Sequence, residues 1–367
     1  MITEDVRTSS NTRVSIFDQI ASDSHEQVVF CYDPDTGLRC IIAIHSTVLG
    51  PALGGTRMWH YESDQQALTD VLRLSRGMTL KAAVTGLNLG GGKGVVIGDS
   101  RTDKSEALWR RYGQFVESLG GRYITAEDVG TSIKDLEYIS METRHCTGLP
   151  EAMGGGGDPS PVTAYGTYLG MKAAAREVWG KDELAGKKIL VQGIGHVGAN
   201  LVELLVKENA DVSVSDIREE KLADITRQFK VKVVAPEDVY DYDMDIYAPC
   251  ALGATLNDDT IPALRCIIVA GAANNQLKDE SRHGEMLRDK GILYTPDFVI
   301  NAGGLINCYA ELDGYDRNRA MATCENIYDR TLDIFSLARH QGTTTHSAAE
   351  TLALQRIESI SRLNTRM

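Results

Sequence analysis

The segment Ile189-Leu190-Val191-Gln192-Gly193-Ile194-Gly195-His196-Val197-Gly198 joins a short apolar run directly to a Gly-x-Gly-x-x-Gly pattern. The run reads as a buried strand, and Leu201, Leu204 and Leu205 at helical spacing predict a helix after the glycines. A second strand, Val212-Ser213-Val214-Ser215, ends at Asp216, which lies 23 residues beyond Gly193. Strand, glycine turn, helix and acidic residue together are the context in which this pattern binds a dinucleotide. Gly193 permits the tight turn, Gly195 lets backbone approach a pyrophosphate, and Gly198 lets helix pack on strand. The helix N-terminus offers N–H groups and partial positive charge to the phosphates. Asp216 would accept hydrogen bonds from ribose hydroxyls and repel a 2′-phosphate, which favours NAD over NADP. Arg218, two residues on, weakens that discrimination. The alternative is a nucleotide-type fold that holds no ligand.

Further strands are expected at 232–234, Ile246-Tyr247-Ala248 and Ile267-Ile268-Val269. Strands alternating with helices imply a doubly wound parallel sheet, the Rossmann arrangement. Upstream, residues 153–161 read Met-Gly-Gly-Gly-Gly-Asp-Pro-Ser-Pro, which neither a helix nor a central strand accommodates. This stretch is the candidate boundary or hinge. The α/β chain therefore divides into an N-terminal domain, 1–150, and a nucleotide-binding domain, 151–345, separated by a cleft. A last helix over about 346–367, opened by a capping box at Ser347-Ala-Ala-Glu350, is a candidate to pack back on the first domain. In the first half, Val28-Val29-Phe30-Cys31 and Cys40-Ile41-Ile42-Ala43-Ile44 read as strands joined by a turn at 33–37. Ser63 and Gln66 form a capping box ahead of Leu68, Val71, Leu72 and Ser75 at helical spacing.

The 367 residues exceed one average domain of about 150. Hydrophobic content of 43% and charged content of 24% are those of a globular protein. A net charge of −13 disfavours nucleic acid and anionic membranes as partners. Seven cysteines without a Cys-x-x-Cys pair suggest a reducing compartment, and the histidines form no metal-ligand pattern. Residues 1–13 are polar and lack a secretory core, so they read as a frayed extension. No run approaches a membrane span of about 18 apolar residues. A cytoplasmic protein with no metal site is expected.

Two lysines stand apart. Gly77-Met78-Thr79-Leu80-Lys81 and Gly90-Gly91-Gly92-Lys93-Gly94 set ammonium groups among small and apolar residues with no carboxylate between them. Lysine is rarely buried without a partner, and a glycine wrap leaves Lys93 open to close approach by an anionic small molecule. The stretch is not a phosphate loop: residue 87 is leucine, residue 94 is glycine, and Val95-Val96-Ile97 predicts a strand rather than a helix. Two surface lysines beside a flexible loop is the plainer alternative. Asp128, before Thr131 and Ser132, is either a helix cap or a functional carboxylate.

Several segments resemble one family in unbroken order: Pro51-Ala-Leu-Gly-Gly-Thr-Arg-Met58, Gly77-Met-Thr-Leu-Lys81, Leu87-Asn-Leu-Gly-Gly-Gly-Lys93, Ile124-Thr-Ala-Glu-Asp-Val-Gly130, Asp158-Pro-Ser-Pro-Val-Thr-Ala-Tyr165, Ala248-Pro-Cys-Ala-Leu-Gly253, Ala272-Ala-Asn-Asn-Gln276 and Val299-Ile-Asn-Ala-Gly-Gly304. They resemble the amino-acid dehydrogenases that act on glutamate, leucine, valine, phenylalanine and tryptophan, most nearly the leucine-acting branch. The resemblance covers nearly everything after about residue 25. It implies NAD-dependent oxidative deamination of an L-amino acid to a 2-oxo acid and ammonia. It also implies a homo-oligomer, often an octamer, whose cleft closes on its ligands. In this reading Lys81 pairs with the substrate α-carboxylate, Lys93 activates water, and Asp128 shuttles a proton at the substrate nitrogen. Gly54 and Gly55 floor the cleft, while Thr163, Asn274 and Asn275 lie near the nicotinamide.

Family position also implies a side-chain pocket of Leu53, Ala126, Leu305 and Cys308. Glutamate-specific relatives carry lysine where this chain has Leu53. A buried substrate carboxylate without a cation costs several kcal/mol. An apolar pocket suits leucine, isoleucine or valine. Gly92, Leu305 and Cys308 depart from the leucine-acting pattern, which often has alanine and two valines there. Ala126 is larger than the glycine of phenylalanine-specific relatives. One methylene is worth only about 1–3 kcal/mol of selectivity, so phenylalanine or tryptophan remains the alternative substrate.

Overall fold

The computed structural model describes residues 15–364; the extension expected at 1–13 lies outside them. Two sheets organise the chain. The first contains β1 (Gln27–Asp33), β2 (Leu38–Ser46), β3 (Ala52–Trp59), β4 (Gly90–Ile97) and β5 (Tyr123–Glu127), in the order β1-β2-β4-β3-β5. β1 and β2 form the expected hairpin, and β2 runs antiparallel to β4. β3 lies parallel to both β4 and β5. The second sheet contains β6 (Lys188–Gln192), β7 (Asp211–Ser215), β8 (Lys232–Val233), β9 (Ile246–Pro249), β10 (Ile268–Val269) and β11 (Leu293–Tyr294). Its order, β11-β10-β9-β6-β7-β8, with all neighbours parallel, is that of a dinucleotide-binding sheet, and the strand order reverses between β6 and β9.

The glycine run at 90–94 is strand β4, not a wrap around Lys93. Its missing side chains are filled by protein. A Cβ on Gly92 would lie 2.7 Å from the Tyr123 ring. One on Gly94 would lie 2.7 Å from Thr56 Oγ1 and one on Gly91 2.6 Å from the Ser75 carbonyl. The glycines thus let the buried tyrosines and the helix Asp64–Val84 close on the two faces of β4. Pleating then sends Lys93 to the same face as Gly91, toward that helix.

The helix Asp64–Val84 buries Leu68, Val71, Leu72 and Ser75, and continues through the Gly77–Lys81 motif so that Lys81 sits in its last turn. Ser63 caps it by accepting from Gln66 N, but the Gln66 side chain accepts from Glu62 N, one residue before the expected partner. The helix Thr345–Asn364 also starts earlier than its sequence signal: Thr344 Oγ1, not Ser347, accepts from the first turn, at Ser347 N. This helix lies against the first-sheet region. Arg356 donates to the carbonyls of Ala83 and Leu87 and to Asn88 Oδ1, and Arg76 meets Glu350 at 3.2 Å. Among the described residues no helix is long and apolar enough to cross a membrane.

Candidate active site

A cleft of about 810 Å³ runs between the two sheets. Its first wall comes from β3, β5 and the helix Asp64–Val84. Leu53, Gly55 and Arg57, at every second position of β3, all line it, as strand alternation requires. Gly54, expected on the floor, does not. It points the other way and packs between the Gly92 carbonyl and Met78, because neighbours in a strand face opposite sides.

Lys81 and Lys93 both reach the cleft. Lys93 is 5% exposed, and its Nζ lies 3.1 Å from Asp128 Oδ2. Burial lowers its pKa; the Asp128 charge opposes this and Arg57 reinforces it. Burial works to raise the Asp128 carboxyl, but the cations of Lys93 and Arg57 outweigh it and hold the group ionised below its usual range. Asp128 is not a helix cap. Ser132 caps Ile133–Ser140 in a reciprocal box with Asp135, which leaves the Asp128 side chain for the cleft. Lys81 Nζ donates to Asn301 Oδ1 at 2.8 Å and lies 3.5 Å from Asn274 Oδ1. Burial, with Lys93 nearby, lowers its pKa to about 8 against the opposing charge of Asp297.

Leu53, Ala126, Leu305 and Cys308 share the cleft and form an apolar side to it. Burial pushes the Cys308 thiol up to about 12, so it acts as a wall rather than a nucleophile. Thr163, Asn274 and Asn275 line the opposite wall. Asn274 accepts from Asn301 Nδ2 at 2.7 Å, and Asn275 holds a left-handed φ of 52° in the loop after β10.

Gly193, Gly195, Gly198 and Asp216 sit beyond these walls, with Val197 joining their loop to the cleft. The loop has the shape a pyrophosphate needs. Gly193 has φ 101°, and a Cβ there would lie 2.7 Å from that of Ala251. A Cβ on Gly198 would run into the Gly193 carbonyl, whereas Gly195 faces open space. The helix His196–Lys207 has no side-chain cap, so its first N–H groups are free for a ligand. Asp216 Oδ2 accepts from Ile194 N at 2.7 Å and Oδ1 from Arg218 N at 2.9 Å. Oδ1 also meets Arg218 Nε at 3.4 Å, so Oδ2 is the oxygen that keeps a lone pair for a ribose hydroxyl. These residues fit a dinucleotide. No group of metal-ligating side chains occurs among the described residues.

Two cleft residues, Arg57 and Asn301, and Asp70 behind the first of them carried no role in the sequence reading. Arg57 bridges Asp128 (3.0 Å) and Asp70 (2.9 Å). Reading 52–59 as a strand would have put Arg57 in phase with Leu53. Nothing local marks Asn301, which meets Lys81 only through the fold.

A family model described as Glu/Leu/Phe/Val dehydrogenase, dimerisation domain, matches residues 25–145. A second, Glutamate/Leucine/Phenylalanine/Valine dehydrogenase, matches 154–219 and 213–362. The chain is 54% identical over 345 residues to a leucine dehydrogenase from Thermoactinomyces intermedius, covering 94% of each. It is 52% identical over 347 residues to one from Geobacillus stearothermophilus, covering 95% of this chain and 94% of the relative. The crystal structure of L-tryptophan dehydrogenase from Nostoc punctiforme superposes with a TM-score of 0.85 at 47% identity, over 94% of this chain and 99% of that one.

Proposed function

The chain belongs to the glutamate/leucine/phenylalanine/valine dehydrogenase family, and from that premise we propose that it catalyses the reversible NAD-dependent oxidative deamination of L-leucine and other branched-chain L-amino acids. The observation that carries this is the 3.1 Å approach of Lys93 to Asp128 in a cleft that also holds Lys81 and the apolar Leu53, Ala126, Leu305 and Cys308.

Gly193, Gly195, Gly198 and Asp216 would hold NAD, with Thr163, Asn274 and Asn275 toward its nicotinamide, and it would supply the hydride acceptor. Lys81 binds the substrate α-carboxylate in exchange for its contact with Asn301. Once hydride has left the α-carbon, the substrate is an iminium. Lys93, its pKa lowered by burial, takes a proton from water as the oxygen adds to that carbon. Asp128, ionised at rest, takes a proton from the substrate ammonium before the hydride leaves and returns it to the carbinolamine nitrogen; the C–N bond then breaks as the hydroxyl proton passes to Asp128, and ammonia and the 2-oxo acid leave. Branched aliphatic side chains suit the pocket, since Leu53 offers no cation to a second carboxylate. The match to a dimerisation domain supports a homo-oligomer. Seven free cysteines suit a reducing cytoplasm.

The test is initial-rate NADH formation from leucine, valine, isoleucine, phenylalanine and tryptophan, each with NAD and with NADP. The highest kcat/KM is expected for a branched-chain substrate with NAD. A preference for an aromatic substrate would reverse the assignment, and equal use of NADP would remove the role given to Asp216.

A further inference from the structure

We propose that Arg57 is a positioning residue for the Lys93–Asp128 pair: anchored from behind by Asp70, its guanidinium clamps the Asp128 carboxylate against Lys93 and sets the charge balance of both. The inference rests on the reading that Lys93 and Asp128 move the protons of the reaction.

The geometry is a chain of charges leading out of the cleft. Arg57 Nε donates to Asp128 Oδ2 at 3.0 Å, the oxygen that Lys93 Nζ meets at 3.1 Å. The other end of the same guanidinium donates from Nη1 to Asp70 Oδ2 at 2.9 Å. Tyr61 donates to that Asp70 oxygen at 2.8 Å, and Arg73 meets Oδ1 at 3.2 Å. Asp70 is therefore held by three donors and is a fixed anchor. The Asp128 backbone is also fixed, by its N–H to Thr131 Oγ1 at 2.8 Å. What remains free is the carboxylate itself, and Arg57 and Lys93 both bind Oδ2. That leaves Oδ1 for the substrate nitrogen. Only a planar, forked cation spans two carboxylates in this way.

Arg57 on β3, Lys93 on β4, Lys81 and Asp70 on the helix Asp64–Val84, and Glu127 and Tyr61 nearby make up the charged and titratable surroundings of the pair. Removing the Arg57 charge raises the proton affinity of both Lys93 and Asp128. Removing the Asp70 charge lowers it for both. The sign is the same whichever member carries the acid limb of the pH–rate profile, because the two titrate together. Opposite displacements from two neighbouring substitutions are an electrostatic signature that loss of packing does not produce.

The experiment is the pH dependence of kcat/KM for leucine deamination in wild type, Arg57→Gln, Asp70→Asn and Arg57→Lys, with NADH binding as the check on folding. In Arg57→Gln the acid limb moves to higher pH, its midpoint falling at about tenfold lower proton concentration, and kcat falls at least tenfold. In Asp70→Asn the limb moves down. Arg57→Lys keeps the limb near its wild-type place but loses kcat, since one ammonium cannot hold both carboxylates. Should Arg57→Gln fail to bind NADH, the other two variants carry the test. An Arg57→Gln or Asp70→Asn variant that binds NADH but leaves the limb unmoved, a shift of both in one shared direction, or an Arg57→Lys variant with wild-type kcat overturns the role of Arg57. A wild-type chain without amino-acid turnover overturns the underlying reading instead.

Discussion

Carboxylate binding should weaken as pH rises through the titration of Lys81. In the cleft this ammonium meets two asparagine oxygens, and burial lowers its pKa to about 8. With that value about nine-tenths of the cation survives at pH 7 and about one-tenth at pH 9. A ligand that requires the charged form therefore loses about tenfold in affinity over that interval, or about 1.4 kcal/mol. The clean probe is 4-methylpentanoate, which carries the leucine skeleton and carboxylate but has no α-group to react and stays ionised throughout. Its dissociation constant, measured by calorimetry on the NADH complex between pH 6.5 and 9.5, should be level at first and then climb with a slope approaching one. Lys81→Met should bind weakly with no slope, while Lys93→Met should keep the slope. A flat profile in wild type, or a slope that survives in Lys81→Met, would refute the assignment of Lys81 as the carboxylate partner.

Two glycines of the nucleotide loop should separate fold from binding. Gly198→Ala drives a methyl into the Gly193 carbonyl and should cost about 1–3 kcal/mol of stability together with NADH affinity; Gly195→Ala, whose Cβ meets open space, should melt like wild type yet lose NADH affinity at least tenfold. Fluorescence titration and urea unfolding check the pair, and tight NADH binding by Gly195→Ala would count against the loop as the pyrophosphate site. His45 is a source of acid lability: burial first, then His25, lowers its pKa from 6.5 to about 4. The unfolded chain takes up this proton below pH 6.5 and the folded chain does not, so stability present above 6.5 is lost as pH falls toward 4. The shift is worth on the order of 3 kcal/mol. His45→Gln should reduce the drop in unfolding free energy between pH 7 and 4.5, and an unchanged drop would rule His45 out.

The nucleotide half was legible because its signals are local. A strand, three glycines with separate steric duties and an acid at the next strand end lie within 28 residues, and β6, β7 and the helix between them follow that reading directly. The strands at Ala52–Trp59 and Leu293–Tyr294 had no such signal. The first is too rich in glycine to show alternation, and the second is two residues long in a sheet that supplies its neighbours. The glycine run at 90–94 looked like a loop because glycine disfavours strands in isolation. Here the approach of Tyr112, Tyr123 and Thr79 requires its bare backbone.

From the chain alone came the α/β class, the dinucleotide loop and the identity of two lysines and an aspartate as candidates for chemistry, because residue type and short spacing carry that information. Which oxygen of Asp128 meets Lys93, the guanidinium bridge to Asp70, the hold of Asn301 on Lys81 and the turning of Gly54 away from the cleft were settled only when strands took their register and two sheets came to face each other. The reason is range: hydrogen bonds and ion pairs act over about 3–4 Å, and residues 81 and 301 are brought within that distance by the packing of helices and sheets, which no short window of sequence encodes.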